Sequence, residues 1–370
     1  MVTETLVEYP RRTAGHGSQR RSRGAVRLWL FSIAGLIWLM VLIGGSTRLT
    51  GSGLSITEWA PILGTVPPIG DAAWAEAFAK YRAIPQFRLV NPDMTLDEFQ
   101  FIYAWEWGHR FLGRIIGFAY LVPMLFFFAV GRIGRAELPR HLAILGIGLL
   151  QAVIGWWMVS SGLVDRVSVA PLRLAVHLTL AAALFAMVLA TALTLDHEMP
   201  AARLSTGRRI GAAVVLGWVF VQIFLGALVA GNGAGLVYDT WPLMGESFVP
   251  DEIFELQPLW LNFLENTSTV QFVHRIGAYV LFALALGQFV SIVVSPRGPS
   301  ARVTGWALVF VVAFQILVGI ATLLLNVPLS LALVHQGTAM AVLAAAVVHA
   351  VTVFAPGRAE AALGRAASGF

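Results

Sequence analysis

Apolar positions along this chain fall into eight long runs, near 27–45, 104–130, 141–160, 171–195, 210–230, 269–294, 303–325 and 329–354. Each run can cross about 30 Å of hydrocarbon as a helix, and a helix satisfies its own backbone hydrogen bonds where lipid offers none. The pattern predicts an all-α integral membrane protein with eight transmembrane helices. The connection between the first two runs, 46–103, is long and has structure of its own. Its segment WAEAFAKYR (74–82) has the spacing of a short amphipathic helix with Trp74, Phe78 and Tyr81 on one side. Thr95 and Glu98 suit a capping box that would start the helix leading into the second run.

Composition agrees with the pattern. Of 370 residues, 58% are hydrophobic and 12% charged, with mean hydropathy +0.76; a soluble globule is nearer to about a quarter charged. There is no cysteine, which excludes disulfides, thiolate ligands, cysteine-ligated iron–sulfur clusters and covalent c-type haem. A metal centre would rest on histidine, carboxylate or methionine. The net charge of +5 is no nucleic-acid signal, because the basic residues are scattered at the ends of apolar runs.

Those basic residues orient the chain. Arg11, Arg12, Arg20, Arg21 and Arg23 precede the first run and Arg27 opens it; Arg132, Arg135 and Arg140 lie in the second connection. Arg203, Arg208 and Arg209 lie in the fourth, Arg297 and Arg302 in the sixth, and Arg358 and Arg365 after the last run. The fifth connection, 231–270, has no Lys or Arg but six acids. Both termini are therefore expected in the cytoplasm, with the odd-numbered connections outside. The first run is read as retained, since no small-residue cleavage site follows it.

The two halves of the chain are copies. GSGLSITEWAPILG (51–64) recurs as GAGLVYDTWPLMG (233–245), LQAVIG (150–155) as FQILVG (314–319), and LAVHLTLA (174–181) as ALVHQGTA (332–339). Each copy holds four runs and starts inside, so the repeat is parallel, with a pseudo-two-fold axis along the membrane normal. The expected organisation is a disordered basic tail (1–25), a four-helix bundle over 26–200 that includes the outer loop 46–103, a second bundle over 201–355, and a cytoplasmic tail (356–370).

Four of the eight histidines occupy matched positions in the copies: His109 and His177 in the first, His274 and His335 in the second. All four are expected near the outer ends of their helices. Two imidazoles at one depth in one bundle are what axial ligation of a haem iron needs. The alternative is a set of interhelical hydrogen bonds or a proton relay. Zinc would want a fuller shell and copper a thiolate. His16, His141, His197 and His349 read as solvated or interfacial.

The copies differ three residues before the first histidine, where Glu106 stands in one and Gln271 in the other. That spacing keeps each side chain on the face of its histidine. A site that breaks C–H bonds gains from a nearby carboxylate, so the N-terminal half is the candidate reactive site, with Glu106, His109 and His177 as its residues. Glu106 also has the i+4 spacing for an ion pair with Arg110. Arg110 and Arg275 each follow a histidine, and three roles stay open for them: pairing with a haem propionate, capping a neighbouring helix, or snorkelling. Gln151, Gln222 and Gln315 each precede a glycine by four positions, which points to close helix packing. Tryptophans at the outer ends read as interfacial anchors.

Over residues 25–355 the chain resembles the haem A synthases of bacteria and mitochondria. The likeness rests on GGSTRLTGSGLSITEW (44–59), EFQFIYAWEWGHRFLGR (98–114), the His274-Arg275 pair, His177 and His335. The outer loop without a cysteine pair looks like the alphaproteobacterial and mitochondrial form. The resemblance implies oxidation of the C8 methyl of haem O to a formyl group, giving haem A for cytochrome c oxidase. It implies haem b on iron ligands His274 and His335, the substrate iron at His109 and His177, and a catalytic role for Glu106. Partners implied besides membrane lipid are haem O synthase, a haem-delivery assembly factor, cytochrome c oxidase and further copies of the chain. The rival readings are a dihaem b-type electron carrier, a haem O carrier without chemistry, and a proton-coupled transporter.

Overall fold

The computed structural model describes residues 15–195, 204–295 and 299–355, with side chains from Arg23 onward except Leu63. The segments 1–14 and 356–370, with Arg203, Arg297 and His197, lie outside the described residues, as does the side chain of His16.

The first helix, α1 (Gly15–Leu49), starts ahead of its apolar run, so the expected tail to residue 25 is helical from Gly15. Arg and Gln are good helix formers, and no proline interrupts them there. In the outer loop, α2 (Asp71–Arg82) and α3 (Pro85–Leu89) precede α4 (Leu96–Ala129). α4 begins eight residues before its apolar run because Thr95 closes the expected capping box. Its side chain accepts from Glu98 N at 3.3 Å, and Glu98 Oε2 accepts from Thr95 N at 2.8 Å. Then come α5 (Leu138–Ser160), α6 (Pro171–Thr194), α7 (Thr206–Asn232), the short α8 (Asn262–Glu265), α9 (Thr267–Val293), α10 (Pro299–Leu324) and α11 (Leu329–Phe354). Gly233 ends α7 in the left-handed region at φ 63°, a conformation that costs glycine little.

Eight of these helices, α1, α4–α7 and α9–α11, are long and apolar enough to span a membrane. Helices α1, α4, α5 and α6 pack in a ring, each against the next, and α7, α9, α10 and α11 do the same. The rings join where α6 meets α7 and α11, and where α1 meets α11. One core runs through both, from Leu30 and Val41 through Val188 and Val219 to Leu343. Large apolar side chains on the outside, such as Leu28, Phe118 and Phe310, stay exposed, as a surface facing lipid requires.

The outer loop has its own small core. Trp74, Phe78 and Tyr81 share the expected side of α2 and close on Phe99 of α4, with ring centres 6.4, 5.0 and 5.3 Å from it. Lys80 on the same helix reaches Glu76 at 2.8 Å and Glu58 at 3.0 Å. Those hydrogen bonds, Glu76 first, lift the ammonium above its ordinary value. Exposed pairs of this kind add little stability; the aromatic cluster holds the loop to α4.

Candidate functional site

Each of the four repeated histidines packs on a glycine of a neighbouring helix. A Cβ on Gly44 of α1 would stand 3.0 Å from His109 Nε2, and one on Gly155 of α5 would stand 3.0 Å from His177 Cε1. In the second ring the same holds for Gly226 of α7 against His274 (3.1 Å) and Gly319 of α10 against His335 (2.8 Å). Contacts this short leave no room for a side chain, so the glycines are what admit the rings. All four histidines keep part of their surface open. In the second ring the two imidazoles have centres 6.5 Å apart and planes at 79°.

The glutamines expected to mark helix packing do more than that. Gln151 Nε2 donates to the His177 carbonyl at 3.0 Å and lies 3.2 Å from its Nδ1. Gln222 Nε2 makes both approaches to His274 at 3.0 Å. Gln315 Nε2 donates to the His335 carbonyl at 2.9 Å, lies 3.2 Å from Nδ1, and its Oε1 accepts from Thr338. The carboxamide and the glycine one turn on thus form a cradle for one imidazole. In each case it is the amide nitrogen, a donor, that faces the ring. The sequence carried the signal: the same pair recurs three times, each in the span before a repeated histidine.

Gly319→Ala is therefore expected to drive a methyl into the His335 ring and cost about 1–3 kcal/mol by overpacking. Thermal unfolding of the purified protein in detergent would register the loss. Gly117→Ala, with nothing within 4 Å of its Cβ, should show none.

Glu106 sits on the face of His109 and is 3% exposed. Its Oε2 accepts from Ser55 Oγ at 2.8 Å and from Ile56 N at 2.9 Å, while Oε1 accepts from Arg110 Nη2 at 2.6 Å. The i+4 ion pair thus forms, and the carboxylate also ties down the loop after α1. Gln271 does the corresponding job by donating to Tyr238 O at 3.0 Å. Both arginines turn to the same loops. Arg110 donates to the carbonyls of Ile56 (2.9 Å) and Glu58 (3.1 Å). Arg275 donates to those of Tyr238 (3.2 Å), Thr240 (2.9 Å) and Leu243 (3.2 Å). Each guanidinium fastens a loop over the end of its ring that holds the histidines.

Two other histidines differ from expectation. His141 and His349 are 0% and 1% exposed rather than solvated. His141 stacks on Trp29 and its Nδ1 lies 3.0 Å from Tyr120 Oη. His349 has Thr304 Oγ1 3.0 Å from Nδ1 and Gln288 Nε2 3.4 Å from Nε2. Buried polar groups need partners; both ring nitrogens of His349 meet one, while His141 is partnered at Nδ1 and its buried Nε2 is not. Although both lie near helix ends, those ends pack against neighbouring helices, which buries the rings.

The sequence family described as cytochrome oxidase assembly protein (COX15-CtaA) matches residues 27–347. The chain is 46% identical over 350 residues to a protein named heme A synthase from Chelativorans sp. (strain BNC1), covering 94% of this chain and 96% of that one. Proteins of the same name match from Rhodopseudomonas palustris (strain BisA53), 50% identical over 86% of this chain and 88% of that one, and Mesorhizobium japonicum, 48% identical over 89% and 90%. With the family match reaching from the first candidate span into the last, this chain belongs to the COX15-CtaA family of cytochrome oxidase assembly proteins.

Proposed function

We propose that this protein is a haem A synthase that oxidises the C8 methyl of haem O to a formyl group. The relatives' shared name supports the substrate and product. The observation that carries the reading to these residues is the His274–His335 pair, with ring centres 6.5 Å apart. Two metal–nitrogen bonds of about 2 Å, with about 1.1 Å from each nitrogen to its ring centre, come to about 6.2 Å, so the pair could hold a metal between them. Among the described residues no cluster of three or more His, Cys, Asp or Glu could hold a metal. A pair of imidazoles suits an iron that brings four equatorial nitrogens of its own.

In this reading His274 and His335 hold haem b, which supplies one-electron transfer. His109 and His177 hold the iron of the substrate, whose farnesyl tail lets it enter from the bilayer. The two rings are the N-terminal and C-terminal bundles of a parallel repeat, with the histidines toward the outer face and both termini inside. Haem A then passes to cytochrome c oxidase.

Glu106 shares the face of His109, toward the edge of the substrate ring. Its oxygens are occupied by three donors, which suits a fixed, oriented negative charge better than a mobile proton acceptor. Such a charge favours the positive charge that develops at the methyl carbon as electrons leave it. Oxidation through alcohol and gem-diol, with loss of water, balances as CH3 + H2O → CHO + 4 H+ + 4 e−. The four electrons leave to an external one-electron acceptor. Arg110 and Arg275 keep the loops closed over the two sites, which limits entry of bulk water.

Extraction and chromatography of the pigments from the purified protein test the proposal. Haem b together with haem O or haem A is the expected result. Two haem b per chain with neither of the others would instead mean a dihaem carrier, and a colourless protein would rule out both.

A further inference from the structure

Three of the four repeated imidazoles are held by a glutamine, and the fourth is not. GSGL (51–54) and GAGL (233–236) set α1 on α7 with an offset of 182 residues. The same offset puts Gly44 on Gly226 and Met40 on Gln222. Both side chains pack about one turn beyond the histidine, against glycines one residue out of register between the copies. Gln222 packs where a Cβ on Gly277 of α9 would overlap its Oε1, one turn beyond His274. Met40 packs where a Cβ on Gly113 of α4 would come within 3.2 Å of its methyl, one turn beyond His109. Methionine and glutamine are close in size and shape, but the thioether offers only a weak acceptor. Among the described residues no hydrogen bond reaches either ring nitrogen of His109, whereas the other three histidines each meet a carboxamide.

Resting on the assignment of the two histidine pairs to haem iron, we propose that Met40 is a positioning residue that leaves His109 the one exchangeable iron ligand, with His177, His274 and His335 held firm. A hydrogen-bonded partner fixes the orientation of a ligand imidazole, and removing such a partner typically costs 10–100-fold in metal affinity. A resident cofactor gains from having both ligands secured, as His274 and His335 are. A substrate that must be loaded and released in every cycle gains from one ligand that lets go. Met40 puts that weakness on the His109 side, the same side as Glu106.

The test uses the full-length protein in detergent, loaded with haem O and carrying its own haem b. Transfer of each haem to excess apomyoglobin gives its rate of release, with the two resolved by chromatography; the spin state of the ferric protein reports ligation. Met40→Gln should slow haem O release by about 10–100-fold and convert high-spin iron to low-spin. Met40→Leu, which packs without hydrogen bonding, should behave as the parent. Gln222→Met should speed haem b release by a similar factor. Parental rates and spin state in Met40→Gln overturn the proposal. If that variant fails to fold, Gln222→Met decides: faster release upholds it, unchanged release overturns it. A His177→Ala variant that retains haem O as the parent does would instead overturn the underlying assignment of the pairs.

Discussion

Replacing Glu106 by Gln is expected to leave both haem sites filled while haem A formation falls by about 100-fold or more, the scale of losing one preorganised electrostatic group from an active site. The second ring gives the reason to expect the fold to survive. Gln271 stands at the matching position, and its amide still fastens the corresponding loop through Tyr238 O. Arg110 would lose its carboxylate partner but keep the carbonyls of Ile56 and Glu58. The variant thus removes one negative charge from the site while keeping a side chain that can anchor the loop. The measurement is haem A per chain, by extraction from cells expressing the variant, set against total haem in the purified protein. Haem A at the parental level would reduce Glu106 to a loop anchor. Loss of haem O along with activity would mean that the loop contacts at Ser55 and Ile56 matter more than the charge.

His335→Ala should strip haem b from the protein and leave the substrate site able to bind haem. Removing the partner of a ligand costs 10–100-fold in affinity, and removing the ligand itself must cost more. His335 is also the ring most closely confined, by Gly319 and by Gln315 one turn away on the same helix, the latter itself held by Thr338. Nothing in that cradle can replace the imidazole. Haem b per chain, from the pyridine haemochrome of the extracted pigment, is expected to drop from about one to near zero, and haem A production should stop with it. A variant that keeps a full complement of haem b would remove the C-terminal pair from the account. His109→Ala is the mirror experiment, with haem b retained and haem O bound weakly.

Much of this was legible before any coordinates. The eight helices, the repeat and the four matched histidines are properties of local order: run length, composition and spacing along one strand of sequence. The capping box at Thr95 and the aromatic side of α2 were readable for the same reason, since both involve residues within one or two helical turns. The pairing of Glu106 with Arg110 was visible as an i+4 spacing. Its further contacts to Ser55 and Ile56 were not, because they depend on how the loop after α1 folds back onto α4.

What the chain determined by itself is which segments cross the membrane and which residues recur in each half, because burial in lipid and helical periodicity act residue by residue. Only the tertiary structure decided where each side chain points. It turned Arg110 and Arg275 onto loop carbonyls, put His141 and His349 in the core, set three glutamines against three histidines, and left Met40 beside the fourth. Those outcomes depend on the rotation of each helix about its axis and on which neighbour it meets. Both are set by packing among residues far apart in sequence, so spacing within a helix showed that the glutamine–glycine pairs recur but not which side chains they meet.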